Sequence, residues 1–108
     1  MYLVKSLEVL NLHPILVEIV EDLEYIAGPG LYTSAYRPGD DGPHGTIPVR
    51  GIDRRCRNAA LGNAIKQYLN NNWEYDSDRP DMVVCLFHKV DKYGWHLHIQ
   101  CHSNTRRR

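Results

Sequence analysis

Near the C-terminal end of the chain, Trp95-His96-Leu97-His98 places two imidazoles one residue apart within an apolar, β-prone run. Alternate side chains of a strand share a face, so His96 and His98 are expected to project into the same space. Upstream, Gly42-Pro-His-Gly-Thr-Ile-Pro-Val-Arg-Gly-Ile-Asp53 supplies His44 and Asp53. Two histidines and one aspartate drawn from separate segments make a three-ligand set of the kind that leaves zinc a fourth position for water. The pattern points to a catalytic metal site, and with it a hydrolase.

The rest of the composition narrows the setting. A chain of 108 residues suits a single domain, 1–108, with one core and thin stability. Its formal charge is zero at neutral pH, so no global basic field recruits nucleic acid. The terminal Arg106-Arg107-Arg108 reads as a frayed, solvated end. Cys56, Cys85 and Cys101 are an odd set without a CxxC pair, which argues against a disulfide framework and for a reducing compartment. Cys85 and Cys101 lie in apolar runs, as buried thiols do. The first residues lack the basic start and long apolar stretch of a signal peptide. No segment has the length of a membrane span. Cytoplasmic synthesis is the expectation, and a substrate outside the cytoplasm would require some other route of delivery.

Pro14 to Ala27 is predicted as a helix, with Ile15, Ile19, Leu23 and Ile26 facing inward and Gly28-Pro29 ending it. Leu31 to Arg37 reads as a strand, and Pro38 to Gly51 as a long polar loop of the kind that usually serves a function. Asn58 to Trp73 is a second helix with Asn58 as its cap, Leu61, Ala64, Ile65, Tyr68 and Leu69 facing inward, and a frayed end at Asn70-Asn71-Asn72. Met82 to Phe87 and Trp95 to Cys101 form a hairpin joined by His88 to Gly94. The expected fold is α+β, a small and mostly antiparallel sheet with helices packed on one face.

Within that frame His98 is the strongest ligand candidate, being held on a strand. Asp53 is either a ligand, a helix-start carboxylate or a partner of Arg54 or Arg57. Arg37, at the end of its strand, has the planar fork that holds a substrate carboxylate or carbonyl. Ser34 and Tyr36 alternate with it, as substrate contacts or as support for the strand. Three residues compete for the role of general base: His96, which shares a face with His98, then Asp91 in the hairpin turn, then His88. His13 and His102 read as structural or exposed.

These residues resemble the LAS zinc metallopeptidases, the D-Ala-D-Ala carboxypeptidase and L-Ala-D-Glu endopeptidase family that shares its zinc fold with the Hedgehog signalling domain. Thr33-Ser34-Ala35-Tyr36-Arg37 is similar to the family's Ser-x-Tyr-Arg strand. His44 with Gly51-Ile52-Asp53 resembles its Gly-rich ligand loop, and Trp95-His96-Leu97-His98 its closing strand. The Pro-His-Gly segment is similar to small phage-encoded members. The resemblance implies zinc held by His44, Asp53 and His98, with Arg37 orienting the substrate, a stem or cross-link peptide of peptidoglycan. It implies action at the cell wall after release, or as part of a virion. The chain departs from the family in a longer span between His44 and Asp53. It also has Trp95 where many members carry an acidic base, which passes that role to His96 or Asp91. A non-catalytic zinc-binding module on the same fold is the alternative.

Overall fold

Pro14 lacks a backbone N–H, and it opens the first helix at the turn where that donor has no intrahelical partner anyway. His13 caps this helix, its Nδ1 accepting the Ile15 N–H at 3.1 Å, and Gly28 closes it by donating to Glu24 O. The computed structural model describes residues 2–3, 12–34, 41–42, 48–90 and 94–108. Its elements in chain order are β1 (Tyr2–Leu3), α1 (Pro14–Ala27), β2 (Leu31–Ser34), β3 (Gly51–Arg55), α2 (Ala59–Asn72), β4 (Trp73–Glu74), β5 (Cys85–Val90), β6 (Gly94–Gln100) and β7 (Arg106–Arg107). The main sheet runs β1-β2-β3-β6-β5, antiparallel except for the parallel β1–β2 pair, and β4 pairs with β7 apart from it. Both helices pack on one sheet face, giving the α+β architecture that the sequence predicts.

The core lies between that face and the helices. Tyr32, Ile52, Cys85, Leu97 and Ile99 from the sheet meet Leu16, Ile19, Val20, Leu23, Ile65 and Leu69 from the helices. The buried stripe of α1 differs from the predicted one, since Leu16 and Val20 are enclosed and Ile26 is 41% exposed. Apolar residues cover so much of this helix that their spacing alone does not select the stripe. In α2, Ile65 and Leu69 are buried as expected, but Leu61 and Ala64 are exposed and Gly62 takes the inward position. A Cβ on Gly62 would stand 2.4 Å from the Phe87 ring, so its absence lets helix and sheet approach.

Three local expectations are corrected. First, Gly51–Arg55 is a strand, not the end of a loop. Its alternation is masked in the sequence because the core-facing position after Ile52 is Arg54, only 6% exposed. The Arg54 guanidinium donates to Gly28 O at 2.9 Å and to the Tyr32 hydroxyl at 3.2 Å, and that hydroxyl donates on to Glu24. Burial pushes the Tyr32 phenol up to about 12, against the pull of Arg54. Gly30 leaves room for this arginine, since a Cβ there would lie 2.3 Å from the Arg54 Cζ.

Second, β5 continues to Val90, so His88 sits inside a strand opposite His96 and not in the connection. Third, neither predicted fraying occurs. Asn70 clamps the start of the edge strand β5, accepting from Cys85 N at 3.0 Å and donating to Cys85 O at 2.9 Å. This occupies backbone groups that an edge strand otherwise offers to other chains. The arginine tail is docked, with Arg107 donating to Asp22 at 2.6 and 3.3 Å and lying 4.3 Å from the Trp73 ring centre. Trp73 Nε1 donates to the same Asp22 carboxylate at 2.9 Å. The charge of the tail finds a partner on α1, which sequence position does not reveal.

Gly62→Ala is expected to gain about 1 kcal/mol in helix propensity and to lose about 1–3 kcal/mol by overpacking against Phe87. A lowered Tm is the outcome, and combining it with Phe87→Leu recovers part of the loss in a double-mutant cycle. Burial alone would raise the Asp22 carboxyl, but hydrogen bonds from Arg107 and Trp73 carry it below its usual range. Its stabilisation is therefore present at neutral pH and lost as pH falls through that depressed value. Asp22→Ala should cost about 1–2 kcal/mol at pH 7, and urea titrations should show the gap to wild type closing in acid.

Candidate functional site

Pairing of β3 with β6 sets Asp53 directly opposite His98. Because Ile52, Arg54, Leu97 and Ile99 occupy the helix-facing side, strand alternation puts Asp53, His96, His98 and Gln100 on the other. His98 Nδ1 and Asp53 Oδ1 are 2.9 Å apart, with side chains 13% and 12% exposed. The bulge between Tyr32 and Ser34 brings the half-buried Ser34 into register with Asp53 from the neighbouring strand. Asp53 lies inside β3 and so does not start a helix, and Arg54, one residue on, turns to the opposite face, where it meets Gly28 and Tyr32.

The tautomer of His98 follows from its other neighbour. Gln100 Nε2 donates to Val83 O at 2.8 Å, which fixes the amide and turns Oε1 toward His98 Nε2 at 3.1 Å. A carbonyl oxygen only accepts, so Nε2 carries a proton and donates it. Nδ1 then faces the Asp53 carboxylate.

An imidazole and a carboxylate are donor types that zinc accepts, and the 2.9 Å between Nδ1 and Oδ1 is a hydrogen-bond distance. The Gln100 contact is the kind of outer hydrogen bond that orients a ligating imidazole. His44, the third expected ligand, lies outside the described residues, among which no group of three His, Cys, Asp or Glu is placed to hold a metal.

A second pair of imidazoles adjoins the first. His88 on β5 and His96 on β6 are cross-strand partners, their Nε2 atoms 2.8 Å apart and their rings edge to face at 4.4 Å. One of the two must donate and the other accept, so a single proton is shared. The His88 ring also lies nearly parallel to that of His98, with centres 6.3 Å apart. Burial, then the positive fields of His96 and His98, hold His88 below the ordinary histidine range, with Asp53 pulling the other way.

Among the other expected site residues, Arg37, Tyr36 and Asp91 lie outside the described residues. Trp95 belongs to the opposite face and packs on Phe87, ring centres 5.0 Å apart. His13 caps α1, and His102 Nδ1 accepts the Asn104 N–H, so both have structural roles. All three cysteines are buried and free, and burial pushes the Cys85 thiol up to about 12, which removes it as a nucleophile at neutral pH. Gln100 is the site residue that sequence inspection misses, although its spacing of two from His98 carries the signal.

Compared with known proteins, the chain matches no protein-family model, no curated sequence and no solved structure. No helix among the described residues is long and apolar enough to cross a membrane.

Long-range ¹H–¹⁵N spectra at neutral pH should show His98 protonated at Nε2. Gln100→Ala should remove that lock and let both tautomers appear. An unprotonated Nε2 in the wild-type protein would overturn the arrangement.

Proposed function

We propose that this protein is a zinc-dependent peptidase that cleaves peptide bonds of bacterial cell-wall peptidoglycan and derives from a phage or prophage. The observation that carries the proposal is the approach of Asp53 Oδ1 and His98 Nδ1 to 2.9 Å on the sheet face that the helices leave open. Two of the three ligands inferred from sequence resemblance are thus adjacent, and His44 completes the proposed set.

A zinc ion held by these residues would supply Lewis acidity toward a peptide carbonyl and toward water. The chain's own groups do the rest. Gln100 keeps the His98 ring in the orientation that presents Nδ1. His96 takes a proton from the attacking water and hands it to the leaving amine. His88, in direct contact with His96, holds or relays that proton, a role for which Asp91 is the other candidate. Arg37 orients the substrate through its planar fork, with Ser34 and Tyr36 as further substrate contacts. Synthesis takes place in the cytoplasm, and the enzyme reaches the wall after release or within a virion.

One observation favours a second reading, a zinc module without catalysis. Trp95, at the position where many family members carry an acid, is an aromatic turned to the opposite face. In that case no acid supports proton transfer, and the site serves assembly or binding.

Purified protein should cleave isolated wall peptides, lose activity in chelator and regain it with zinc. Asp53→Ala and His98→Ala should each abolish both stoichiometric zinc and cleavage. His96→Ala should retain zinc while kcat falls about 10²–10⁴-fold. Intact peptides with zinc-loaded wild-type protein would refute catalysis and leave the non-catalytic module standing.

A further inference from the structure

A cavity of about 550 Å³ lies at the end of β6, connected to the Asp53–His98 pair through Gln100. Gln100 lines the cavity and also accepts the His98 Nε2 proton, so whatever fills the space lies one side chain from the proposed centre. The remaining walls come from segments that meet at this end of the sheet. The Leu12–Val49 bridge and the His13 N–H to Val49 O bond set His13 next to Arg50. Arg50 lies one rung beyond the Gly51–Gln100 pair, its carbonyl accepting the Cys101 N–H. Tyr75, Arg79 and His102 belong to the same lining.

The chemistry of this lining is donor-rich. Arg50 spends one N–H on Cys101 O at 3.2 Å, and a guanidinium carries five. Arg79 lies with its guanidinium 5.8 Å from the Tyr75 ring centre and is otherwise exposed. His13 Nδ1 accepts from Ile15 N and His102 Nδ1 accepts from Asn104 N, so each neutral ring keeps its proton on Nε2. Burial, and then Arg50, hold His13 below the ordinary range, which keeps it neutral. Among the described residues the lining sets one carboxylate, Asp41, against these donors, and the buried Asp76 stands 3.6 Å from His102 Nδ1. With two guanidiniums and two imidazole N–H groups, this lining calls for a ligand that brings acceptors and negative charge.

We propose that this cavity is a carboxylate-recognising subsite, in which Arg50 and Arg79 take the acidic side chain of a peptide whose backbone passes over Asp53 and His98. The peptide nature of the ligand rests on the peptidase proposal above; recognition of the carboxylate rests on the cavity alone. The volume lies in the range of sites for small ligands and accommodates one acidic side chain with its adjoining peptide unit. Planar guanidiniums match a carboxylate in two parallel hydrogen bonds. Specificity for a residue next to the scissile bond would then come from the end of the sheet, separate from the groups that perform chemistry.

The test is binding, followed separately from cleavage. N-acetylated, C-amidated Ala-Glu-Ala carries one carboxylate, and its Ala-Gln-Ala counterpart carries none. In NMR titrations the glutamate peptide should shift the Tyr75, Gln100 and His102 signals and bind at least about 10-fold more tightly than the glutamine peptide. Arg79→Gln should erase that preference and Arg79→Lys should keep part of it, both in a folded protein because Arg79 is exposed. Arg50→Gln should act in the same direction, with the dispersion of its amide spectrum reporting folding. Equal binding of the two peptides, or a preference that survives Arg79→Gln, overturns the proposal. So does saturation of these signals by inorganic phosphate with no response to the glutamate peptide. A carboxylate preference in a protein that cleaves nothing upholds the subsite and refutes the peptidase instead.

Discussion

The antiparallel pairing of β3 with β6 is the constraint on which both core and site depend. With a two-residue side-chain period, burying Ile52, Arg54, Leu97 and Ile99 against the helices compels Asp53, His96, His98 and Gln100 onto the other face. A slip of β6 by one residue would drive His96 and His98 into the core and expose Leu97 and Ile99. The free energy of burial therefore enforces the register that aligns Asp53 with His98. Fold stability and site geometry are two consequences of one alignment.

That alignment has an electrostatic cost of its own. Asp53 is 8% exposed, and a carboxylate so far from water must meet hydrogen-bond donors or a positive charge. His98 stands against it at 2.9 Å, and Gln100 holds the far side of that ring, one amide N–H donating to Val83 O and its carbonyl oxygen meeting Nε2. A chain of three hydrogen bonds, Val83 to Gln100 to His98 to Asp53, thus fixes the imidazole against the carboxylate.

How much of this was legible in the sequence depended on whether local signals agreed. The ends of α1 were legible because Pro14 and Gly28 act locally and leave little alternative. Asn58 marked α2 for the same reason. The shared face of His96 and His98 followed from strand alternation alone. Strand β3 was hidden by Arg54, whose burial is made tolerable by Gly28 O, the Tyr32 hydroxyl and the space at Gly30, all distant in sequence. The docked tail was hidden likewise, since Asp22 lies 85 positions from Arg107. The pairing of His88 with His96 needed the hairpin register, which depends on where the turn falls rather than on either histidine.

The same sheet end explains how recognition and chemistry can sit side by side with Gln100 between them. On β6, His96 and His98 face the proposed centre, and Gln100, one alternation further, faces both it and the basic cavity. On the preceding partner strand, Asp53 serves the centre, while Arg50 lies beyond the last paired rung, where the side chain leaves the sheet. Moving along the paired strands therefore changes the local field from a carboxylate–imidazole pair to a guanidinium-lined space. A ligand with a polar backbone and one negative side group would be oriented by that gradient. Gln100 is, among the described residues, a side chain through which occupancy of the cavity can alter the position of the His98 ring.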